Sequence, residues 1–420
     1  MGPFDIGWVR DQFPALAQEI NGQLAAFLDG PGGTQTPERV MTAIREYLTH
    51  SNSNAHGAFA TSQRTDAVIA SARLAMADFL GCDRDEIVFG PNMTTLAFTL
   101  SRSIGRDLHA GDEIIVTQLD HDANVAPWKA LEEQGVIIRT VDINPEDCTL
   151  DMVDLERQLT PRTRVVAVGY ASNAVGTIND VAQIVKLAHA VGALVFIDAV
   201  HYAPHGPIDV NELDCDFLAC SAYKFFGPHI GVLYGKHEHL TRLRPYKVRP
   251  ASDQVPSRWE MGTQNHEGLA GTVAAIDYLA DLGRRVSPTV GNRREALLST
   301  MQATQQYERE LCQQLVPNLL QIPGLTFFGV TDPSHFIRRT PTVALRMATH
   351  TPYEVAKALG NRGIFTWNGN FYALNLSERL GVESSGGFLR IGLVHYNTIE
   401  EVHRLLQTLN EMAALPALSS

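Results

Sequence analysis

Short apolar runs rich in β-branched residues alternate with helix-period stretches through the middle of the chain. The runs predict strands at Ile87–Phe89, Glu113–Thr117, Val165–Val168, Leu194–Ile197, Phe217–Cys220 and Gly231–Tyr234. Amphipathic segments lie between strands and before them. In Thr65–Leu80, Val68, Ile69, Ala72, Ala75, Met76 and Phe79 share one face, and Gly81 stops the helix. Strands alternating with helices in this way form parallel βαβ units, so the predicted fold class is α/β. Functional groups in such sheets gather at the carboxyl ends of the strands.

Near residue 245 the alternation breaks, and Arg244-Pro245, Arg249-Pro250 and Val255-Pro256 punctuate a loop-rich passage. A long helical region is predicted from Gly268 to Leu315, then strands around Thr342–Arg346, Gly363–Thr366 and Phe388–Leu393. The last helix opens with the capping box Thr398-Ile399-Glu400-Glu401. It carries Ile399, Val402, Leu405, Leu406 and Leu409 on one stripe. This pattern predicts a large domain over residues 26–279. A smaller one would be made of residues 1–25 and 280–420.

With 420 residues the chain can build both cores, and its 45% hydrophobic and 19% charged content is that of an ordinary globular protein. Lys and Arg number 34 against 46 Asp and Glu, a net charge of −12 with no basic run, so no nucleic-acid partner is expected. Met1-Gly2-Pro3-Phe4-Asp5-Ile6 has neither a basic n-region nor an apolar h-region. No stretch approaches the roughly 20 apolar residues of a membrane helix. A cytoplasmic protein without membrane attachment is the expectation. Cys82, Cys148, Cys215, Cys220 and Cys312 are scattered and odd in number, which predicts no disulfide framework and no metal site.

The candidate chemistry starts with Asp198, closing the run Ala193–Ile197, and Lys224, in Ser221-Ala222-Tyr223-Lys224-Phe225-Phe226-Gly227-Pro228. An acid at one strand end and a lysine just past the next are what a pyridoxal-phosphate site needs. The lysine holds the aldehyde as a Schiff base, and the carboxylate keeps the pyridine nitrogen protonated. Read alone, Asp198 also suits a helix cap and Lys224 a surface position, but charges beside apolar strands need a partner or a purpose. Gly90-Pro91-Asn92-Met93-Thr94-Thr95 follows a strand and opens a helix, so its N–H groups and hydroxyls suit a phosphate; Thr94 equally suits a cap. His121 offers a flat imidazole for stacking or proton transfer, and Asn173 a side-chain amide for a ring oxygen or a turn. Arg390 lies in a predicted strand, where its fork suits a substrate carboxylate or an ordinary salt bridge.

Taken in order, these motifs resemble the class V aminotransferase family of fold type I pyridoxal-phosphate enzymes, and within it the cysteine desulfurase and selenocysteine lyase group. The resemblance runs from Leu28-Asp29-Gly30 to the final helix. Asp120-His121-Asp122-Ala123-Asn124-Val125-Ala126-Pro127-Trp128 is similar to the group's ring-stacking segment. Ser172-Asn173-Ala174-Val175-Gly176-Thr177 resembles its asparagine motif, and Leu213–Phe217 leads to the lysine in the group's manner. The resemblance implies a large domain with a mainly parallel seven-stranded sheet and a smaller α+β C-terminal domain. It implies that Lys224, Asp198 and His121 are catalytic, with Asn173 contacting a ring oxygen. Thr94, Thr95, Ser221 and Tyr223 would hold the phosphate, and Thr263 would reach the phosphate of a neighbouring subunit. A homodimer with shared active sites follows from that. Arg390 matches the substrate-carboxylate arginine.

The chain departs from the group's pattern around the substrate. Phe365-Thr366-Trp367-Asn368-Gly369-Asn370-Phe371-Tyr372 stands where the desulfurases carry a nucleophilic cysteine on a mobile loop, and contains none. His201 replaces a usual glutamine beside the cofactor. His56 stands where many relatives have arginine, and it and Asn370 join Arg390 as expected substrate contacts.

The expected function is therefore a pyridoxal-phosphate enzyme acting on an L-amino acid, cysteine desulfurase-like, with C–S lyase (β-elimination) chemistry and no enzyme persulfide. Three alternatives stay open. One is epimerisation, transamination or another lyase reaction on an amino acid without sulfur. Another is a true desulfurase using a cysteine from elsewhere, with a sulfur acceptor unknown. The third is a non-catalytic cofactor-binding dimer.

Overall fold

The computed structural model describes residues 4–414. Seven strands form the main sheet: β1 (Ile87–Gly90), β2 (Glu113–Thr117), β3 (Ile137–Val141), β4 (Thr163–Gly169), β5 (Leu194–Asp198), β6 (Phe217–Ser221) and β7 (Gly231–Gly235). Their order is β1-β7-β6-β5-β4-β2-β3. The run from β3 to β6 is parallel, while β7 is antiparallel to both β6 and β1. Helices cover both faces, which is why β2, β6 and β7 are buried along their whole length and read as continuous apolar runs.

β3 escapes the sequence pattern for a physical reason. It is the edge strand and is only partly buried, so Arg139 and Thr140 interrupt its apolar run without cost. The predicted helix from Gly268 to Leu315 is two helices, His266–Val286 and Arg293–Leu319, broken where Pro288 follows Ser287.

A second, antiparallel sheet is built from β8 (Leu325–Phe328), β9 (Thr342–Met347), β10 (Trp367–Gly369) and β11 (Phe388–Gly392), in the order β8-β9-β11-β10. The strand expected at Gly363–Thr366 is a two-residue pairing, Ile364–Phe365 beside Ala26–Phe27, outside that sheet. Two cores result. Residues of the main sheet pack with Ala296, Leu297 and Met301, whereas Leu311, Leu315 and Leu319 of the same long helix pack under the second sheet. Residues 4–25 touch both regions. Arg10 pairs with Glu401 at 2.9 Å, while Val9, Phe13, Leu16 and Ala25 join the main core.

Two glycines let the regions close on the site. An added Cβ at Gly231 on β7 would collide with the Asn92 backbone at the start of helix Met93–Gly105, and one at Gly176 (φ 80°) with the Thr342 carbonyl of β9.

Candidate active site

The carboxyl ends of β4, β5 and β6, the start of helix Met93–Gly105 and the segment after β10 enclose a cleft of about 450 Å³. Lys224, Asp198, His121, Asn173, His201, Ser221, Tyr223, Thr94, Arg390 and Asn370 all line it. Residues scattered over most of the sequence thus converge because parallel strands deliver their loops to one edge.

Asp198 ends β5 beside Gly169 and Ala219 of its neighbours. Its Oδ1 accepts the Val200 N–H at 2.9 Å. Burial lifts its carboxyl to about 6, against the pull of that hydrogen bond and of Lys224. Lys224 ends the turn Ala222–Lys224 after β6, and its Nζ donates to the Pro31 carbonyl. Burial, helped by the Arg390 charge and opposed by Asp198, brings its amine down to about 7. Neither side chain forms a salt bridge among the described residues.

His121 follows β2, and its Nδ1 accepts the Ala123 N–H at 3.0 Å. Burial and the cations Lys224 and Arg390 lower it to about 4, so the ring is neutral and carries its proton on Nε2. Asp120 fixes that segment: it accepts from the Gly169 N–H at 2.8 Å and from Asn124 Nδ2 at 2.9 Å. Asn173 Nδ2 donates to the Phe371 carbonyl at 2.9 Å, leaving its Oδ1 buried without a partner. Ser221 Oγ accepts the Met93 N–H at 3.1 Å, and Asn92 caps the helix through Thr95 N–H. His201 is buried, with Nε2 3.1 Å from Thr340 Oγ1.

Arg390, on β11, is 4% exposed and has no carboxylate partner. One nitrogen, Nη1, donates to the Asn173 carbonyl at 2.8 Å; Nε has no partner. Burial pulls the pKa of its guanidinium down to about 9.

Three expected site residues lie elsewhere. Thr95 is exposed behind the helix cap, Thr263 is exposed after Gly262, and neither lines this chain's cleft. His56 is at φ 68° with its side chain in solvent, its Nδ1 3.2 Å from Asp66. Asn370 does line the cleft, but its amide donates to Glu383 at 3.0 Å and its carbonyl accepts the Tyr372 N–H at 3.0 Å, so it holds the loop. The sequence reading passed over Asp120 and Pro31. The first was visible as an acid beside His121; the second had no signal, because its contribution is a carbonyl.

These residues fit pyridoxal phosphate. A buried acid and amine without ion pairs and a helix start with hydroxyls are what a pyridine nitrogen, aldehyde and phosphate require, and the orphaned Asn173 Oδ1 is an acceptor for the hydrogen of a ring hydroxyl.

The family model for aminotransferase class-V matches residues 26–405. A cysteine desulfurase of Pectobacterium atrosepticum is 34% identical over 98% of this chain and 99% of its own length. A probable cysteine desulfurase of Mycolicibacterium paratuberculosis is 32% identical over 98% of this chain, which spans 58% of that longer protein. Among solved structures, the apo cysteine desulfurase of Thermococcus onnurineus superposes with TM-score 0.86 at 26% identity, covering 97% of this chain and 98% of that one. A cysteine desulfurase of Escherichia coli gives 0.83 at 29% identity over 98% of each. Together with the convergence of Lys224, Asp198 and His121 on one cleft, this match along nearly the whole chain has one reading: the chain belongs to the class V aminotransferase family and is a cysteine desulfurase-like, pyridoxal-phosphate-dependent enzyme.

Proposed function

We propose that the protein is a C–S lyase, eliminating the sulfur substituent from the β-carbon of an L-amino acid without forming a persulfide on itself. The carrying observation is the segment after β10. It bears Phe371 and Tyr372, and their carbonyls are anchored by Asn173 Nδ2 at 2.9 Å and the Asp122 N–H at 2.7 Å. A tethered aromatic loop supports chemistry that does not need a swinging thiol. Among the described residues no cysteine lines the cleft, and burial pushes all five thiols up, away from the reactive thiolate.

Pyridoxal phosphate, when bound, supplies an electron-accepting ring that stabilises negative charge at the substrate's α-carbon. Asp198 would hold the proton of the pyridine nitrogen, and that cation would offset the desolvation of its carboxylate. Thr94, Ser221 and the helix start would take the phosphate, with the Tyr223 hydroxyl as a further donor; the unpartnered Asn173 Oδ1, near His201, would accept from a ring hydroxyl. Neutral His121, in the cleft wall, would offer its flat face to the ring. Arg390 forks onto the substrate carboxylate. With its amine near 7, Lys224 is available both as nucleophile and as base. It takes the α-proton, the C–S bond breaks with its electron pair on sulfur, and Lys224 returns a proton. For cysteine and water the products are sulfide, pyruvate and ammonia.

We also infer a homodimer. Thr263 and His56 lie outside their own cleft, and Phe59 and Met261 beside them are exposed apolar side chains, 58% and 54% in solvent. Light scattering that gives a monomer would refute it. For the lyase, the test is incubation with cysteine, cystine and cysteine sulfinate. Stoichiometric pyruvate and a protein free of persulfide by intact mass are expected. Alanine as product, with a persulfide on a protein cysteine, would overturn the reading in favour of a desulfurase.

A further inference from the structure

Phe371 and Tyr372 are adjacent non-glycine residues at φ 58° and 60°. L side chains rarely enter this region, and a consecutive pair persists only where the surroundings impose it, typically beside a ligand. Here both carbonyls are held from the main-sheet loops, the Tyr372 N–H is held by Asn370 Oδ1, and Asn370 is in turn fixed by Glu383. The unusual backbone turns two rings onto the cleft. Phe371 lies over Arg390, its centroid 4.0 Å from the guanidinium carbon. Tyr372 stacks on His121 with centroids 5.3 Å apart and planes 24° from parallel. Trp367, paired with Arg390 across the strands, adds a third ring to the same lining. Yet Tyr372 is 73% and Trp367 48% exposed, so within one protomer much of this aromatic surface is uncovered. A bare thiol has almost no apolar surface to set against it.

Building on the lyase reading above, the geometry points to Phe371 and Tyr372, with Trp367, as specificity-determining residues for an S-substituted L-cysteine whose sulfur carries an aromatic or branched apolar group. Phe371 covers the guanidinium that would take the carboxylate, so the rest of the substrate would be confined alongside the rings. No side chain of the loop offers a charge to a polar substituent. The step balances without an oxidant. The β-carbon–sulfur bond breaks with both electrons on sulfur, the α-proton passes through Lys224 Nζ, and the substituted thiol leaves protonated. One water is consumed and pyruvate and ammonia are released.

The experiment compares S-benzyl-L-cysteine with L-cysteine on the holoenzyme, reading thiol release and pyruvate together. For the wild type, kcat/KM is expected to favour the benzyl compound by about tenfold or more, the discrimination typical of added apolar contacts. Tyr372→Ala and, separately, Phe371→Leu should each cut that ratio about tenfold at unchanged melting temperature. Should one variant fail to fold, the wild-type ratio and the other variant decide. A wild-type ratio of one or below, or a ratio that neither variant moves, overturns the assignment while leaving the lyase intact. Absence of pyruvate from every sulfur amino acid would sink the lyase reading itself, and this inference with it.

Discussion

The Arg390 guanidinium lies against the Phe371 ring, 4.0 Å from its carbon, and donates an Nη1 hydrogen to the Asn173 carbonyl at 2.8 Å. A buried cation held in this way but lacking a carboxylate is preorganised for an anion that arrives with the substrate. The same charge pulls down the amine of Lys224 and the imidazole of His121. In the proposed lyase, Arg390 therefore links substrate recognition to the state of the Lys224 amine.

Replacing Arg390 by lysine keeps a charge but removes the fork. KM for the amino-acid substrate should rise about 10–100-fold, the loss of one charge-assisted hydrogen bond or two. Cofactor affinity, read from the visible absorbance during titration, should change far less. Equal loss of both would count against the carboxylate role.

Attachment of the cofactor should follow the ionisation of Lys224. Only the neutral amine attacks an aldehyde, and burial brings this one down to about 7. Below that pH the rate of holoenzyme formation from the cofactor-free protein should climb about tenfold per unit, then level off above it. Removing the Arg390 charge should move the bend to higher pH, and Lys224→Ala should abolish the linked band. A bend near the ordinary lysine value would refute the picture of a desolvated amine.

Most of the cleft lining is legible in the sequence because it is made by side chains at strand ends. Asp198 and Lys224 announce themselves as charges following apolar runs, and the main sheet's inner strands do so because both faces are covered. Where burial is partial the signal fades, as in β3 with Arg139 and Thr140, or in the short β10. Contributions from main-chain groups, such as the Pro31 carbonyl on Lys224, leave no trace in residue identity. The placement of Thr95 behind a cap and of His56 in solvent depends on helix geometry and on the left-handed turn at His56, which the local sequence does not encode. Asn370 lines the cleft, and nothing in the local sequence pairs its amide with the Glu383 carboxylate that holds it.

At the amino end of β2, Glu113 is fully buried and accepts from Arg139 at 2.9 Å, Arg162 at 2.8 Å and Thr160 at 2.6 Å. The Arg139 hydrogen bond leads in holding its carboxyl down at about 2, below an ordinary 4.5. A depressed folded value means stability that is present above pH 4.5 and drains away as the pH falls towards 2. Glu113→Gln should cost about 2 kcal/mol near neutral pH, the scale of a hydrogen bond to a charged group. Denaturant melts at several pH values should show the gap between the two proteins narrowing through that acid window. A pH-independent gap would mean that packing, and not the charge, is what Glu113 contributes.

Behind the cleft, His201 meets His205 ring to ring at 5.2 Å, and His205 Nδ1 is 2.8 Å from Glu308 Oε2. Both members of that pair are 3% or less exposed, and Glu308 Oε1 has no partner at all. Burial pushes the Glu308 carboxyl up, and His205 opposes it. Such a pair is costly to break and cheap to replace as a unit. Removing either partner alone, by His205→Leu or Glu308→Met, leaves the other polar group stranded and should cost about 3–5 kcal/mol. The double variant should recover most of that loss, so the cycle reads a large coupling energy by chemical denaturation. If the two costs simply add, Glu308 and His205 are independent core fillers. In that case the wall behind His201 is held by packing alone.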